Sequence, residues 1–342
     1  MFNERRPEIR ELSRFEFLVR TINDRDGYAR RVRYRPLGSS GLVVSVVGLG
    51  GNNFGRTVDA AGTRAVVDAA LEVGVTLIDT ADVYGDRGGS EELLGAALEG
   101  RRDQVVIATK WGSPMGGPDW EARGSRSYIR RAVEASLRRL RTDWIDLYQY
   151  HVPDEITPIE ETLEALDELV AEGLVRYVGS SNMAAWEVGE ADWTARDRGL
   201  ARFIGAQNEY SLLKRDVEAE LVPACLRYGV GILPYFPLAS GLLTGKYRRD
   251  EPATSGRLAG REIPAERWDA VEALERFAKE RGRTLLEVAI GGLAAQPAVG
   301  SVIAGATSPE QVRANAAAGD WEPSAEDLAA LDEVVPRAQF ER

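Results

Sequence analysis

The chain has 342 residues and a formal net charge of −11, with one histidine, His151, and one cysteine, Cys225. The acidic balance argues against a nucleic-acid-binding protein, and so few cysteine and histidine residues exclude an internal disulfide and leave almost no transition-metal ligand set, so we expect no metal site. No apolar run reaches the roughly 18 residues that span a bilayer, and no secretory segment follows Met1, which predicts a cytoplasmic protein without membrane contact.

The first 35 residues differ in composition from the rest of the chain, with ten Arg against six Asp plus Glu. Their apolar residues recur at helical spacing, at Ile9, Leu12, Phe15, Val19 and Ile22. We interpret residues 1–32 as a charged N-terminal extension, flexible or forming a short helix, whose acidic residues argue against a mitochondrial transit peptide. A docking helix is the alternative interpretation.

From residue 42 onward, short apolar runs alternate with longer amphipathic runs. Eight strands are predicted, at 43–49, 75–78, 105–109, 145–150, 175–179, 203–207, 230–233 and 301–303. Helices are predicted among and after them, at 62–73, 90–99, 127–140, 159–171, 217–228, 284–295, 308–318 and 324–335. Repeated strand–helix units with near-continuous apolar strands are typical of parallel sheets. Eight units predict an α/β protein, a single (β/α)8 TIM barrel over residues 33–342, with a doubly wound open sheet as the alternative.

Two features between these elements bear on the architecture. The run Gly48-Leu49-Gly50-Gly51 looks like a dinucleotide-binding loop, but position 53 is Asn53 and no helical pattern begins there. The G-x-G-x-x-G register therefore fails, and we expect no Rossmann domain. At about 240–267 the alternation of elements stops, which predicts a long loop after the seventh strand, of the kind often used as a lid or binding loop.

Four polar side chains follow the predicted strands. Asp79 and Tyr84 come after the second strand, Lys110 closes the third, and His151 follows the fourth. In a (β/α)8 barrel the carboxyl ends of the strands meet at one mouth, where active sites lie. Each side chain also has an ordinary structural explanation, such as a capped turn for Asp79 or packing for Tyr84. Their convergence on one mouth favours a catalytic site.

This set of side chains suits the reduction of a carbonyl group. Hydride arriving at carbon creates an oxyanion, which Tyr84 can protonate if the Lys110 ammonium favours ionisation of the phenol. Asp79 would supply the counter-charge that keeps Lys110 charged in a desolvated mouth. His151 would orient the carbonyl oxygen through a hydrogen bond. A barrel hydrolase that uses Asp79 and Asp82 as paired carboxylates is an alternative.

The segments LIDTADVYG, IATKWG and DLYQYH, which carry these four residues, closely resemble the aldo-keto reductase family. The resemblance covers about residues 33–335. It implies an Asp, Tyr, Lys and His tetrad with the roles just described, on a barrel without a Rossmann domain. It also implies a nicotinamide dinucleotide bound in an extended pose, with NADP(H) preferred and NAD(H) as the alternative.

The resemblance further implies which residues contact this cofactor. Its carboxamide is assigned to Ser181, Asn182 and Gln207, beside Asp79, and its nicotinamide ring to stacking on Tyr235. Gly51 and Asn52 after the first strand are assigned to the cofactor as well. The pyrophosphate is assigned to Phe236, Pro237, Leu238, Ser240 and Gly241, and the adenosine end to Gly305, Thr307, Ser308, Gln311 and Asn315. Ser308 and Gln311 also form an S-x-x-Q capping box, and a helix N-terminus favours phosphate.

One departure from the family concerns the 2′-phosphate that distinguishes NADP from NAD. Many relatives carry Arg or Lys where this chain has Thr307, and Glu where it has Ala314. We assign the contact instead to Lys246 and Arg257 in the long loop. An ordinary solvated surface is the alternative for both.

Substrate contacts are assigned to loop residues at the same mouth, Asn53, Phe54, Trp111 and Trp120, whose aromatic walls would favour a partly apolar carbonyl compound. The sequence thus predicts an NAD(P)H-dependent reductase of a small aldehyde or ketone, with its oligomeric state open. The alternative from another class is a nucleotide-binding regulatory subunit that resembles potassium-channel β subunits and has little turnover.

Overall fold

The computed structural model describes residues 32–118, 121–251 and 256–338. The predicted N-terminal extension, apart from Val32, lies outside the described residues. The described part contains ten strands: β1 (Tyr34–Pro36), β2 (Val43–Ser45), β3 (Val47–Gly50), β4 (Leu77–Asp79), β5 (Val106–Trp111), β6 (Ile145–Tyr150), β7 (Val175–Ser181), β8 (Phe203–Gln207), β9 (Gly231–Ile232) and β10 (Val302–Gly305).

Ten α-helices accompany these strands in the described residues: α1 (Ala60–Glu72), α2 (Tyr84–Ala97), α3 (Arg126–Leu140), α4 (Ile159–Ala171), α5 (Ala185–Arg198), α6 (Leu221–Tyr228), α7 (Ala265–Glu280), α8 (Leu285–Ala294), α9 (Pro309–Ala318) and α10 (Ala325–Val334). Side-chain caps fix several helix starts. Asp59, Thr284, Ser308 and Ser324 each accept a hydrogen bond from a backbone N–H in the first turn of α1, α8, α9 and α10. Such caps satisfy N–H groups that have no partner within the helix.

The eight strands β3 to β10 form one parallel sheet in the order β10-β3-β4-β5-β6-β7-β8-β9. Hydrogen bonds close the sheet between its first and last strands, joining β9 and the residues after it to β10 and the residues before it. Gly300 N donates to Ile232 O at 2.8 Å, and Ile303 N donates to Pro234 O at 3.0 Å. The predicted (β/α)8 barrel is therefore confirmed.

The prediction of one strand at 43–49 was wrong, because this run makes two strands. β2 pairs antiparallel with β1, with Arg35 opposite Val44, and only β3 joins the barrel. The hairpin closes the amino-terminal end of the barrel. Its Leu37 and Val44 are fully buried in a cluster with side chains of the strands, among them Leu77 and Leu147. An apolar run alone does not reveal which sheet it joins.

The predicted long loop is shorter at its far end than expected, because α7 begins at Ala265. Before it, residues Ala239–Thr244 form an irregular turn that includes left-handed backbone. Among the helices of the described ranges, none is both long enough and apolar enough to cross a membrane.

Leu37→Ala is expected to lower the free energy of unfolding by about 3 kcal/mol, since truncating a fully buried leucine removes apolar contacts and leaves a cavity. Urea denaturation would measure the change. Val43→Ala, at a position 46% exposed in the same hairpin, is the control and should change stability by less than about 1 kcal/mol. Equal effects of the two variants would contradict the conclusion that Leu37 stabilises the protein by filling the amino-terminal end of the barrel.

Candidate active site

The barrel brings the four predicted catalytic residues to one mouth. Asp79 is the last residue of β4, Lys110 lies one residue before the end of β5, and His151 directly follows β6. Tyr84 is the first residue of α2, after a short turn from β4. Neighbouring parallel strands therefore supply the set, as the order of the segments in the sequence predicts.

The turn that carries Tyr84 is tied to β5 and depends on glycine. Asp82 N donates to Lys110 O at 3.1 Å, which holds the turn against the neighbouring strand. Gly85 follows with φ of 66°, and a Cβ atom there would lie 2.6 Å from Phe54 O. Left-handed backbone and so close an approach both require glycine. The Tyr84-Gly85 pair thus fixes the direction in which the phenol leaves the turn.

Asp79 and Lys110 form a buried ion pair at the bottom of the mouth. Lys110 Nζ lies 2.8 Å from Asp79 Oδ1 and 2.7 Å from Oδ2, and its third bond goes to Thr80 O at 2.8 Å. Gln207 Nε2 donates to Asp79 Oδ1 at 2.8 Å. Burial lowers the pKa of Lys110, but the charges of Asp79 and Tyr84 raise it by more, so its pKa lies above the usual value. Lys110 is therefore a fixed positive charge.

Tyr84 lies between this ammonium and His151. Lys110 Nζ is 5.0 Å from the centroid of the Tyr84 ring, and the Tyr84 and His151 rings meet edge to face with centroids 5.7 Å apart. Burial raises the pKa of the phenol and the Lys110 charge acts against that rise, leaving the pKa above the usual value. Tyr84 is therefore a protonated phenol at neutral pH, next to a charge that stabilises its ionised form.

His151 is held at its backbone and at one ring nitrogen. The backbone N–H of His151 donates to Trp111 O at 2.7 Å, and its backbone carbonyl accepts a hydrogen bond from Asn182 Nδ2 at 2.9 Å. Ser113 Oγ lies 2.9 Å from Nδ1 of the ring. Burial, followed by the Lys110 charge, lowers the pKa of His151 to about 3. The imidazole is therefore neutral and can donate one hydrogen bond into the mouth.

The residues assigned to the carboxamide lie together beside the ion pair. Ser181 Oγ donates to Gln207 O at 2.9 Å, while Tyr235 OH donates to Asn182 Oδ1 at 2.8 Å. Asn182 has left-handed backbone with φ of 57°. The structure therefore places uncharged amide and hydroxyl groups and one aromatic ring on the same side of the mouth.

The segment assigned to the pyrophosphate has unusual backbone. Phe236, Ala239 and Ser240 have φ values of 52°, 47° and 62°, and Gly241 has 98°. Left-handed backbone at non-glycine residues costs about 1–3 kcal/mol each and clusters at functional sites. Successive turns of this kind form concavities lined by N–H groups, which bind anions. Within this segment Ala239 N donates to Phe236 O at 2.9 Å and Gly241 N to Leu238 O at 2.8 Å, so phosphate binding by its N–H groups stays a prediction.

The residues assigned to the adenosine end surround the start of α9. Thr307 N donates to Gln311 Oε1 at 2.9 Å, and Gln311 N donates to Ser308 Oγ at 3.4 Å, which caps the helix. Asn315 Nδ2 donates to Gly305 O at 3.4 Å. A Cβ atom at Gly305 would contact only Asn53 Nδ2, so this glycine faces open space. These polar groups therefore hold one another in place beside an exposed glycine, and their contact with an adenosine end stays a prediction.

Arg257 of the long loop reaches across to the loop after β3. Its Nη2 donates to Asn52 Oδ1 at 2.5 Å and to Asn53 Oδ1 at 3.1 Å, and its guanidinium lies 5.3 Å from the Phe236 ring centroid. Burial lowers the pKa of Arg257, as does a neighbouring arginine. Lys246 is exposed on the same loop. The structure thus puts the Arg257 guanidinium between the loop after β3 and Phe236.

Two predicted substrate contacts are corrected by burial. Phe54 is fully buried, and Trp111 is fully buried in a stack between Tyr148 and Tyr150, with ring centroids at 4.5 and 5.0 Å. Large rings gain more by completing the core than by facing water, so these two side chains extend the core and do not line the mouth. Asn53 is also buried, against Arg257. Trp120 lies outside the described residues.

Two other roles escaped the sequence reasoning. Gln149 pairs in register with Lys110, and its Nε2 lies 3.4 Å from Asp79 Oδ1. Ser113, three residues after Lys110, holds the His151 ring. A polar residue inside an apolar strand was the available signal for Gln149. Gly51, which the resemblance assigns to the cofactor, faces protein: a Cβ atom there would lie 3.0 Å from Asp79 O, so packing by itself accounts for this glycine.

No group of three or more His, Cys, Asp or Glu side chains in the described ranges is placed to hold a metal ion.

Comparisons with known proteins give one consistent result. The model of the aldo/keto reductase family matches residues 46–336. The chain is 37% identical over 308 residues to a probable voltage-gated potassium channel subunit beta of Arabidopsis thaliana, covering 85% of this chain and 92% of that protein. It is 36% identical over 322 residues to the uncharacterized oxidoreductase YrpG of Bacillus subtilis (strain 168), covering 89% and 96%. The aldo-keto reductase YhdN of the same bacterium is 32% identical over 317 residues, covering 89% and 94%.

His151 is expected to stay neutral from pH 5 to pH 8, because its pKa is lowered to about 3. As the only histidine of the sequence, it gives one assignable set of imidazole NMR resonances. These resonances should not titrate in this range. The unfolded chain does take up the proton near pH 6.5, so the contribution of His151 to stability is present above that pH and is lost as pH falls towards 3. A titration midpoint near 6.5 in the folded protein would contradict the described burial.

Proposed function

The chain belongs to the aldo/keto reductase family, and we propose that it is an NAD(P)H-dependent reductase that interconverts a small aldehyde or ketone and the corresponding alcohol, with Tyr84 as general acid and base. The observation that carries this proposal is the fully buried Lys110 ammonium, fixed by Asp79 and lying 5.0 Å from the Tyr84 ring centroid. The charge of this ammonium and a side-chain hydrogen bond from it both favour the ionised form of the Tyr84 phenol. This arrangement suits the stabilisation of a phenolate that forms during proton transfer.

Each residue of the set has a distinct task. Tyr84 delivers its proton to the oxygen of the carbonyl group and recovers it in the reverse direction. Lys110 lowers the energy of the phenolate that remains. Asp79 compensates the Lys110 charge, so that the ammonium stays protonated although it is buried. These tasks need no movement of the strands, because the ion pair is already in place.

His151 orients the carbonyl group. With Nδ1 accepting a hydrogen bond from Ser113 Oγ, the neutral ring carries its proton on Nε2 and donates it to the substrate oxygen. A neutral donor suits this task, because an imidazolium would compete with Tyr84 for proton transfer. Ser113 is therefore the residue whose hydroxyl we propose to donate to Nδ1 in this tautomer.

A nicotinamide dinucleotide bound at this mouth would supply or accept the hydride. We assign its carboxamide to Ser181, Asn182 and Gln207 and its ring to Tyr235. The left-handed segment from Phe236 to Gly241 would hold the pyrophosphate through backbone N–H groups. The open face of Gly305 and the capped start of α9 suit the adenosine end. We further propose that Arg257 and Lys246 favour NADP over NAD.

A second candidate function rests on the names of two relatives. Proteins from Arabidopsis thaliana and Oryza sativa that are 37% and 36% identical to this chain are named as probable voltage-gated potassium channel subunits beta. A regulatory subunit on the same barrel would bind the nucleotide with little turnover. The hydrolase alternative is less well supported, because Asp79 is paired with Lys110 and Asp82 is buried.

Tyr84→Phe is expected to leave cofactor affinity unchanged and to lower kcat by about 10²- to 10⁴-fold, because the ring remains while the transferable proton is lost. Fluorescence titration with NADPH and NADH would give the affinities. Loss of cofactor absorbance with a panel of aldehydes and ketones would give the rates.

Tyr177→Phe, a phenol near the hairpin at the opposite end of the barrel, is the matched control and should keep wild-type turnover. Nucleotide binding by the wild type without turnover on any carbonyl compound would favour the regulatory function. Unchanged kcat in Tyr84→Phe would contradict the assignment of the general acid.

Arg257→Gln is expected to weaken NADPH binding roughly tenfold or more and to leave NADH binding nearly unchanged, since it removes a charged contact to the 2′-phosphate. Arg261→Gln, an exposed change in the same loop, is the control. Equal losses for both nucleotides would instead mean that Arg257 acts on the part they share, by closing the loop through Asn52 and Asn53.

A further inference from the structure

A second buried charge cluster lies behind the turn that carries Tyr84. Glu91 of α2 is fully buried, accepts a hydrogen bond from Thr109 Oγ1 at 2.6 Å, and pairs with Arg139 of α3 at 2.6 Å. Asp82, within the turn itself, is only 2% exposed and interacts electrostatically with both members of this pair. Two buried carboxyl groups therefore face one guanidinium.

The cations near Asp82 direct their donors elsewhere. Arg139 Nε and Nη2 both bind Glu91 Oε2, at 2.7 and 2.6 Å. Lys110 places two of its donors on Asp79 and the third on a backbone carbonyl. Within the described ranges, Asp82 Oδ1 has no hydrogen-bond partner. The carboxyl has a hydrogen bond from the Val83 backbone, but in the described part of the chain no ion pair joins it to a cation. Burying a carboxylate that lacks a paired cation costs far more than burying the neutral acid, so Asp82 retains its proton.

The surroundings of Asp82 also favour the protonated form of its carboxyl. Burial and then Glu91 raise the pKa of the Asp82 carboxyl to about 8, while the positive charges act against the rise. The titratable groups coupled to Asp82 come from four elements that surround the turn: Glu91 (α2), Arg139 and Tyr128 (α3), Lys110 (β5) and Tyr148 (β6).

We propose that Asp82 is a positioning residue that holds the Tyr84 turn in its active geometry only as the neutral acid, so that its ionisation switches the reductase off at alkaline pH. The inference rests on the proposed function. Ionised Asp82 would add a second negative charge beside Glu91 in a buried site. Its own backbone N–H ties the turn to Lys110 O, and Tyr84 follows two residues later, so repulsion at Asp82 moves the phenol relative to the ammonium.

The same proton links the cluster to folding. The pKa of Asp82 is raised from 3.8 to about 8, so between these values the folded state keeps a proton that the unfolded chain has released. The resulting contribution to stability is fully present below about pH 4 and is lost as pH rises through about 8. Replacing Asp82 with a neutral residue such as Asn removes this dependence of stability on pH.

The test compares kcat from pH 6 to pH 10 for the wild type, Asp82→Asn and Asp86→Asn. Asp86→Asn is the matched control. Asp86 is an exposed acid two residues after Tyr84, and its left-handed backbone tolerates Asn. Wild-type kcat should fall about tenfold between pH 7 and pH 9, as expected for loss of one proton with a pKa near 8. Asp82→Asn should remove this fall, and Asp86→Asn should retain it.

Two further readouts do not depend on turnover. The melting temperature of the wild type should decrease by several degrees more between pH 6 and pH 9 than that of Asp82→Asn. Infrared spectra of wild-type protein with ¹³C-labelled aspartate should show a carboxylic acid C=O band at pH 6 that disappears through about pH 8. This measurement decides the question even if Asp82→Asn does not fold.

Absence of the labelled acid band at pH 6, or an alkaline fall that persists in Asp82→Asn, would overturn the inference. Lack of carbonyl-dependent cofactor oxidation by the wild type at any pH would contradict the proposed function instead. In that case the infrared titration would still report whether Asp82 holds its proton.

Discussion

The buried ion pair of Asp79 and Lys110 is the interaction on which the rest of the site depends. Removing two charges from water is costly, and the attraction between them offsets the cost only when the remaining donors and acceptors are also satisfied. Here all three ammonium donors are used, and Gln207 adds a bond to the carboxylate. The pair forms because β4 and β5 are adjacent and parallel. The barrel therefore supplies the geometry, and the pair supplies the charge next to Tyr84.

The charges of the mouth are balanced in two layers. Asp79 and Lys110 form the first layer, which faces the phenol, and Glu91 and Arg139 form the second, behind the turn. Asp82 lies near both pairs and belongs to neither. Its neutral form leaves each layer with one positive and one negative charge. In the proposed mechanism, a phenolate on Tyr84 would then meet a site whose two ion pairs are already balanced.

The two ends of the barrel differ in how their backbone is arranged. At the amino-terminal end, the β1–β2 hairpin fills the opening with apolar side chains such as Leu37 and Val44. At the carboxyl end lie most of the described non-glycine residues with left-handed backbone, in the segments after β4, β6, β7 and β9. Strain of this kind persists only where the surrounding structure supports it. The closed end thus stabilises a scaffold on which the open end can carry strained binding loops.

The sequence by itself determined the parts that depend on local pattern. Short apolar runs located the eight barrel strands, a capping box at Ser308 marked the start of one helix, and strand ends identified the residues that meet at the mouth. These features depend on residues within a few positions of one another, so they can be predicted from one amino-acid sequence.

Only the tertiary structure decided what distant segments do to one another. It buried Phe54 and Trp111 in the core, divided 43–49 between two sheets, and joined Arg257 to Asn52 across more than 200 residues. Whether an aromatic ring lines a cleft or fills the core depends on which surfaces pack against it, and local periodicity does not contain that information. The same holds for the proton on Asp82, which is set by charges that three other elements bring to its side chain.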